Sequence, residues 1–155
     1  EGEELSYAGV GGSRVLIVEA RFYPAISDKL FAGAAEVLKD AGVDFERVMV
    51  PGCLEIPQAL SLAIDAEADF DGAIAIGCVI RGDTAHYDIV CRETNHWLMQ
   101  VAIEGGWPVG NAVLTVDDEA QATARADGGA TGKGGEAARA CLRLIALDQK
   151  MADLA

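Results

Sequence analysis

The sequence predicts an α/β fold, a three-layer α/β/α sandwich around a four-stranded parallel sheet. Three observations predict it. Short strand-like segments recur four times, the first and third opening as apolar runs, each too brief to be a helix of its own. Segments between them place apolar residues at three-and-four spacing, and Gly or Pro punctuates the junctions. Strands that alternate with helices require right-handed crossovers, so the strands run parallel and are covered on both faces.

The elements follow in order. "RVLIVEARF" opens with the run Val15–Val18, a buried strand, and exits into Arg21, Phe22, Tyr23 and Pro24. Ile26, Leu30, Ala34, Val37 and Leu38 then fall on one helical face, and Gly42 supplies the stop. "FERVMV" reads as a second strand, cut off by Pro51-Gly52, and a helix follows from Ile56 to Ala66 with Leu60 and Ile64 on one face. "GAIAIG" is the third strand. The helix after it carries Ile89, Val90, Trp97, Leu98 and Val101 and ends at Gly105-Gly106. "VGNAVLTV" is the fourth strand. "DDEAQATARA" is a short helix with acid in its first turn, which suits the helix dipole. A last helix keeps Ala137, Ala138, Cys141, Leu142, Ile145 and Ala146 on one side. The arrangement is flavodoxin-like. Residues 1–13, acidic and Gly-rich, are expected to form a flexible N-terminal segment ahead of a single domain, 14–155.

Composition narrows the function. The 155 residues carry a formal net charge of −13, which repels a polyanion, so nucleic acid is not an expected partner. One local cation or helix N-terminus can still outweigh that screened charge for a small phosphate ester. No apolar run is long enough to span a membrane and no signal-peptide pattern opens the sequence, so no membrane partner is expected and the cytoplasm is the expected location. Cys53, Cys78, Cys91 and Cys141 include no C-x-x-C pair, and free thiols are expected. His86 and His96 lack the spacing of a helical metal pair, and no metal site or cofactor is expected.

In open α/β sheets ligands bind outside the carboxyl ends of the strands. Here those ends are "EARFYP", "VPGCLEIP", "GCVIRGDTAH" and "LTVDDE", all rich in polar or aromatic groups. Missing G-x-G-x-x-G, P-loop and G-x-S-x-G signatures argue against dinucleotide, nucleotide-hydrolysing and serine-hydrolase chemistry. "GGATGKGG", Gly128–Gly135, reads either as a phosphate cradle or as a flexible connection between helices. His86 falls in the first turn of a helix, whose dipole favours the neutral ring, able to take a proton and return it. It reads equally as a helix cap, whereas His96, mid-helix beside Trp97, reads as structural. Phe22 is either core or a platform for a planar ring. Glu55 is either a capping acid or an acceptor for hydroxyls. Arg125 and Lys133, bracketing the Gly-rich segment, are either solvated surface or an anion clamp.

These residues resemble the lumazine synthases of riboflavin biosynthesis. The resemblance rests on "RF" at 21–22, "VPGCLEIP" at 50–57, "GCVIRGDTAHYDIV" at 77–90, "VLTVDDEAQATARA" at 113–126 and "GKGGEAA" at 132–138. It implies an enzyme that joins 5-amino-6-(D-ribitylamino)uracil to 3,4-dihydroxy-2-butanone 4-phosphate by imine formation, phosphate elimination and ring closure, with no cofactor. By the same resemblance Phe22 stacks on the uracil ring, Cys53, Leu54 and Glu55 line the ribityl chain, and Cys78, Val79 and Ile80 hold the pyrimidine edge. Asp83 and Thr84 meet the phosphate substrate, His86 moves the protons, and Arg125 binds phosphate with help from Lys133. The implied assembly is a homopentamer, or several pentamers, in which Asn111, Arg125 and Lys133 come from the neighbouring subunit. Riboflavin synthase is the implied protein partner.

Three positions depart from the family pattern: Tyr23 where Asn is usual, Cys53 where Ala is common, and Asn111 where Phe often stands. A rival reading is a binding module of the same shape that stores a flavin or lumazine without turnover. Retention of His86 and Arg125 argues against it, since storage needs neither a proton shuttle nor a phosphate clamp. A receiver-like signalling domain would place an acidic cluster after the first strand, where this chain has Arg21-Phe22-Tyr23.

Overall fold

A computed structural model describes residues 3 and 5–155. Its elements alternate as the apolar pattern predicts: β1 (Arg14–Ala20), α1 (Pro24–Asp40), β2 (Asp44–Val50), α2 (Glu55–Asp65), β3 (Gly72–Ile80), α3 (His86–Gly105), β4 (Val109–Val116), α4 (Glu119–Ala126) and α5 (Lys133–Leu154). A short 3-10 turn, Gly129–Thr131, stands between α4 and α5. Three parallel pairings give one four-stranded sheet in the order β2-β1-β3-β4. Helices cover both faces, so the molecule is the α/β/α sandwich with a flavodoxin-like strand order. Among the described residues no helix is long and apolar enough to cross a membrane.

Each face of the sheet has its own core. Val15, Ile17, Ile74 and Ile76 meet Leu30 and Leu38 of α1 and Leu142 and Ile145 of α5. On the other side Leu16, Val18, Ala73 and Ala75 meet Ile56 and Leu60 of α2 and Val90 and Leu98 of α3. The central strands are buried on both faces, which is why they read as unbroken apolar runs rather than alternating ones. Of the segment expected to be flexible, residues 1, 2 and 4 lie outside the described residues, while Val10 packs into the core beside α1.

The third strand is longer than its "GAIAIG" signature. It continues through Cys78 and Val79 to Ile80, which pairs with Val116 at the carboxyl end of β4. Gly77 is a mid-strand residue here: a Cβ at that position would press on the Cys53 sulfur. The extension carries the polypeptide three residues further toward the strand ends before it turns.

The "GGATGKGG" segment is a helix connection, and its glycines serve close packing. A Cβ on Gly134 would overlap the Leu30 carbonyl, one on Gly135 the Ala130 carbonyl, and one on Gly132 the Asp127 carbonyl. Gly128 and Gly129 take positive φ angles of 98° and 54°, which only glycine adopts without strain. Contacts also tie the connection to α1 and α5. Lys29 pairs with Asp127 at 2.6 Å, the Ala130 N–H donates to Glu36 at 3.0 Å, and Arg139 donates to the Ala130 carbonyl. Across the sheet, Gly110 of β4 lets α5 approach until a Cβ there would overlap the Ala137 carbonyl.

Gly110→Ala therefore forces backbone against backbone and should lower stability by about 1–3 kcal/mol. Gly82→Ala, with open space around the added carbon, should change it by roughly 0.5 kcal/mol or less. Urea denaturation of the two variants checks the contrast; equal midpoints would remove the close-packing explanation.

Candidate active site

The strand ends converge on a cavity of about 360 Å³, within the range of small-molecule sites. Phe22 and Tyr23 reach it from the loop after β1, and Pro51 to Leu54 from the loop after β2. Glu55 enters at the first residue of α2, Cys78, Val79 and Ile80 from the end of β3, and His86 and Val90 from α3. Eight predicted site residues thus share one cavity: Phe22, Cys53, Leu54, Glu55, Cys78, Val79, Ile80 and His86. Its walls are mainly apolar, with the Glu55 carboxylate and the His86 imidazole among the few polar side chains that line it. A larger depression of about 490 Å³ is lined by residues 5–11 and Ala41 at the amino edge of the sheet. Among the described residues that line it, Tyr7 is the only titratable side chain, so it offers little chemistry.

Local structure explains each placement. His86 is the first residue of α3, and its backbone N–H donates to the Thr84 hydroxyl at 3.3 Å, so Thr84 shapes the turn that aims the imidazole. Arg81 fastens the same turn. Its guanidinium donates to Asp117 at 2.8 Å, approaches Asp88 at 3.8 Å and lies over the Tyr87 ring at 4.4 Å. The hydrogen bond from Arg81 holds the Asp117 carboxyl below its usual range. Arg81 therefore belongs to the frame of the loop and does not line the cavity. Phe22 is 73% exposed, a large aromatic face at the edge of the cavity. Tyr23 meets its edge at a centroid separation of 5.1 Å. Burial, with Cys78 and Glu119 nearby, raises the Tyr23 phenol above its usual pKa, so it stays protonated and able to donate.

Two thiols complete the wall. Desolvation pushes Cys53 and Cys78 from the usual 9.0 to about 11. They stand on opposite faces of the sheet, Cys53 in the α2/α3 core and Cys78 in the α1/α5 core. All four cysteines are free.

Five predicted site residues lie outside the cavity of their own chain. Asp83 and Thr84 are exposed on the loop before α3. Asn111 is spent on its own chain, donating to Asn95 at 2.8 Å and accepting from the Val113 N–H at 2.9 Å. Arg125 donates only to the Gln121 carbonyl of its own helix, and among the described residues no carboxylate is within ion-pair distance of it. Lys133 pairs with Glu136 at 3.0 Å.

Comparison with known proteins decides the kinship. A profile of the family described as 6,7-dimethyl-8-ribityllumazine synthase matches residues 12–149. A protein of that name from Nitrobacter hamburgensis is 46% identical over 92% of this chain and 90% of its own length. A "6,7-dimethyl-8-ribityllumazine synthase 1" from Rhodopseudomonas palustris is 48% identical, again over 92% of this chain and 90% of its own. One from Novosphingobium aromaticivorans is 50% identical over 89% of this chain and 98% of its own. The chain belongs to the 6,7-dimethyl-8-ribityllumazine synthase family. Within this family member the cavity has four wall residues that sequence reasoning did not place in the site: Tyr23, Pro51, Gly52 and Val90. Tyr23 was legible as a second aromatic at a strand end. Val90 had no such signal, because a core residue and a wall residue of α3 follow the same helical period.

The thiols give a pH signature. A thiol whose folded pKa lies above its unfolded value keeps its proton longer when folded, so it stabilises fully below pH 9. That contribution is lost as pH rises through about 11. The urea midpoint should fall steadily between pH 9 and 11. At pH 8 alkylation of Cys53 and Cys78, followed by peptide mass spectrometry, should be about 10²-fold slower than for a free cysteine. Rapid labelling of either in folded protein would contradict the burial argument.

Proposed function

We propose that this chain is a 6,7-dimethyl-8-ribityllumazine synthase, an enzyme of riboflavin biosynthesis that condenses 5-amino-6-(D-ribitylamino)uracil with 3,4-dihydroxy-2-butanone 4-phosphate. The observation that carries the reading is the meeting of Phe22, Glu55 and His86 around one cavity at the carboxyl edge of the sheet, in a chain of this family.

The chemistry follows from the groups present. The 5-amino group attacks the ketone carbon, and loss of water gives an imine. Loss of the proton on C3 then expels phosphate from C4 and leaves an enol that tautomerises to a new carbonyl at C3. The ribityl-bearing nitrogen attacks that carbon to close the ring with loss of a second water. Every step moves a proton, and an imidazole at the mouth of the cavity can accept and return each one. Phe22 stacks on the uracil ring. The Glu55 carboxylate accepts from ribityl hydroxyls beside Cys53 and Leu54, and Cys78, Val79 and Ile80 hold the pyrimidine edge. Holding both reactants in one cavity supplies much of the remaining acceleration, up to roughly 7–11 kcal/mol. The reaction needs no metal or redox cofactor, because it is a series of additions and eliminations without change of oxidation state overall.

The phosphate end requires a second subunit in this reading. Asn111, Arg125 and Lys133 complete the site of a neighbouring copy, with Asp83 and Thr84 facing the same phosphate substrate. Two observations support it: these three residues stand away from their own chain's cavity, and α3 exposes Ile89, Trp97, Met99 and Ile103. The assembly is a homopentamer or a stack of pentamers, it works in the cytoplasm, and riboflavin synthase takes its product.

Purified protein with both substrates and EDTA should form lumazine far above the uncatalysed background, read by absorbance. Background rates together with tight riboflavin binding would instead indicate a storage module. His86→Ala should lower turnover by about 10²-fold or less, since acid–base help is worth roughly 10²–10⁴ and proximity persists. Arg125→Ala should raise the Michaelis constant for the phosphate substrate by about 10-fold or more, as loss of a charged hydrogen bond does. An unchanged constant would remove Arg125 from the site. Sedimentation showing a fully active monomer would remove the shared site.

A further inference from the structure

Glu19 is the one fully buried charged residue among the described residues, and the proposed chemistry makes no use of it. It occupies the penultimate position of β1, on the same face as Val15 and Ile17, where every neighbour along the strand is apolar. A carboxylate held there needs matched cations, and two reach it from different elements. Arg47 of β2 donates twice, at 2.6 and 3.0 Å, with its guanidinium 3.5 Å above the Phe31 ring of α1. Arg21 donates from beyond the strand end at 3.3 Å and extends its other nitrogen to Asp28 of α1 at 2.7 Å.

Arg21 is thus clamped between β1 and α1, and Phe22 is the next residue. Phe22 is 73% exposed, so its own burial does not fix it. The flanking contacts must. The buried Ser27 hydroxyl donates to the Ala20 carbonyl at 3.2 Å and fixes the other side of the loop.

We propose that Glu19, acting through Arg21, sets the position of the Phe22 ring at the cavity mouth and is a positioning residue for binding of the planar uracil substrate. The inference rests on the reading that Phe22 stacks on that ring.

Steady-state kinetics with each substrate varied in turn, on wild type, Glu19→Gln, Arg21→Met, Phe22→Ala and the Glu19→Gln/Phe22→Ala double variant, test it. Glu19→Gln and Arg21→Met should each raise KM for the ribitylaminouracil about 3- to 10-fold, the worth of a well-placed aromatic contact. KM for the butanone phosphate and kcat should stay within about twofold, as expected when only ground-state binding is lost. In the Phe22→Ala background Glu19→Gln should add nothing further, because the ring it positions is gone. A merely structural role predicts otherwise: both Michaelis constants moving together, or the full Glu19→Gln effect persisting without Phe22. Either result would overturn the proposal. Arg21 is partly exposed, so Arg21→Met carries the test alone if Glu19→Gln does not fold. An active wild type with unchanged KM in Arg21→Met sinks this inference only. A wild type that makes no lumazine overturns the functional reading, and this inference with it.

Discussion

Because all four strands are parallel, all four carboxyl ends lie along one edge of the sheet, and the site depends on that constraint. The strand order β2-β1-β3-β4 sends the chain one way from β1 to β2 and the other way to β3. A crevice opens where the direction reverses, between the ends of β1 and β3. The cavity occupies that place. β1 delivers Phe22 and Tyr23 to one wall, β3 delivers Cys78 to Ile80 to another, and the β2 exit closes it with the start of α2. The end of β4 takes a different part: Asp117 holds Arg81, so the fourth strand steadies the turn into α3 without lining the cavity.

The fold was legible because burial on both faces leaves an unmistakable trace in the central strands β1 and β3, apolar runs separated by helical periods. The glycines were not legible in the same way. Gly77 looked like the end of a strand and proves to be its middle, where the missing side chain makes room for Cys53. The glycines from 128 to 135 looked equally like a phosphate cradle or a slack connection. A cradle, a turn and a close helix approach all demand the same absent Cβ. What separates them is the opposing group, and for Gly134 that group is the Leu30 carbonyl, about a hundred residues earlier in the chain. No local pattern encodes that encounter.

The candidate site residues divide along similar lines. Those carried by strand exits, such as Phe22, Glu55 and His86, could be placed from sequence because topology alone brings strand exits together. Asn111, Arg125 and Lys133 lie on the flank of the sheet or on the α4–α5 segment, and topology brings them to no cavity of their own chain. Asn111 shows the point most clearly: its amide bridges β4 to Asn95 of α3 and is satisfied where it stands. Its distance from the cavity is a property of the packed chain, which composition and spacing do not encode.

The cavity also shows how a mainly apolar pocket keeps its shape while empty of packing. Its walls cannot hold themselves together by filling the space between them, since that space must receive ligand. Their geometry comes from polar latches set outside the walls. Arg81, 52% exposed and paired with Asp117 and Asp88, secures the turn before His86. Glu19, with no exposed side-chain surface, secures the loop before Phe22 through Arg21 and Arg47. The two latches differ in kind. Ions in solvent screen the first, so its pairs contribute little. Protein surrounds the carboxylate of the second, and loss of a partner there leaves a buried charge uncompensated. The aromatic platform is thus held by the firmer latch. The His86 imidazole, proposed to move the protons, is held by the softer one.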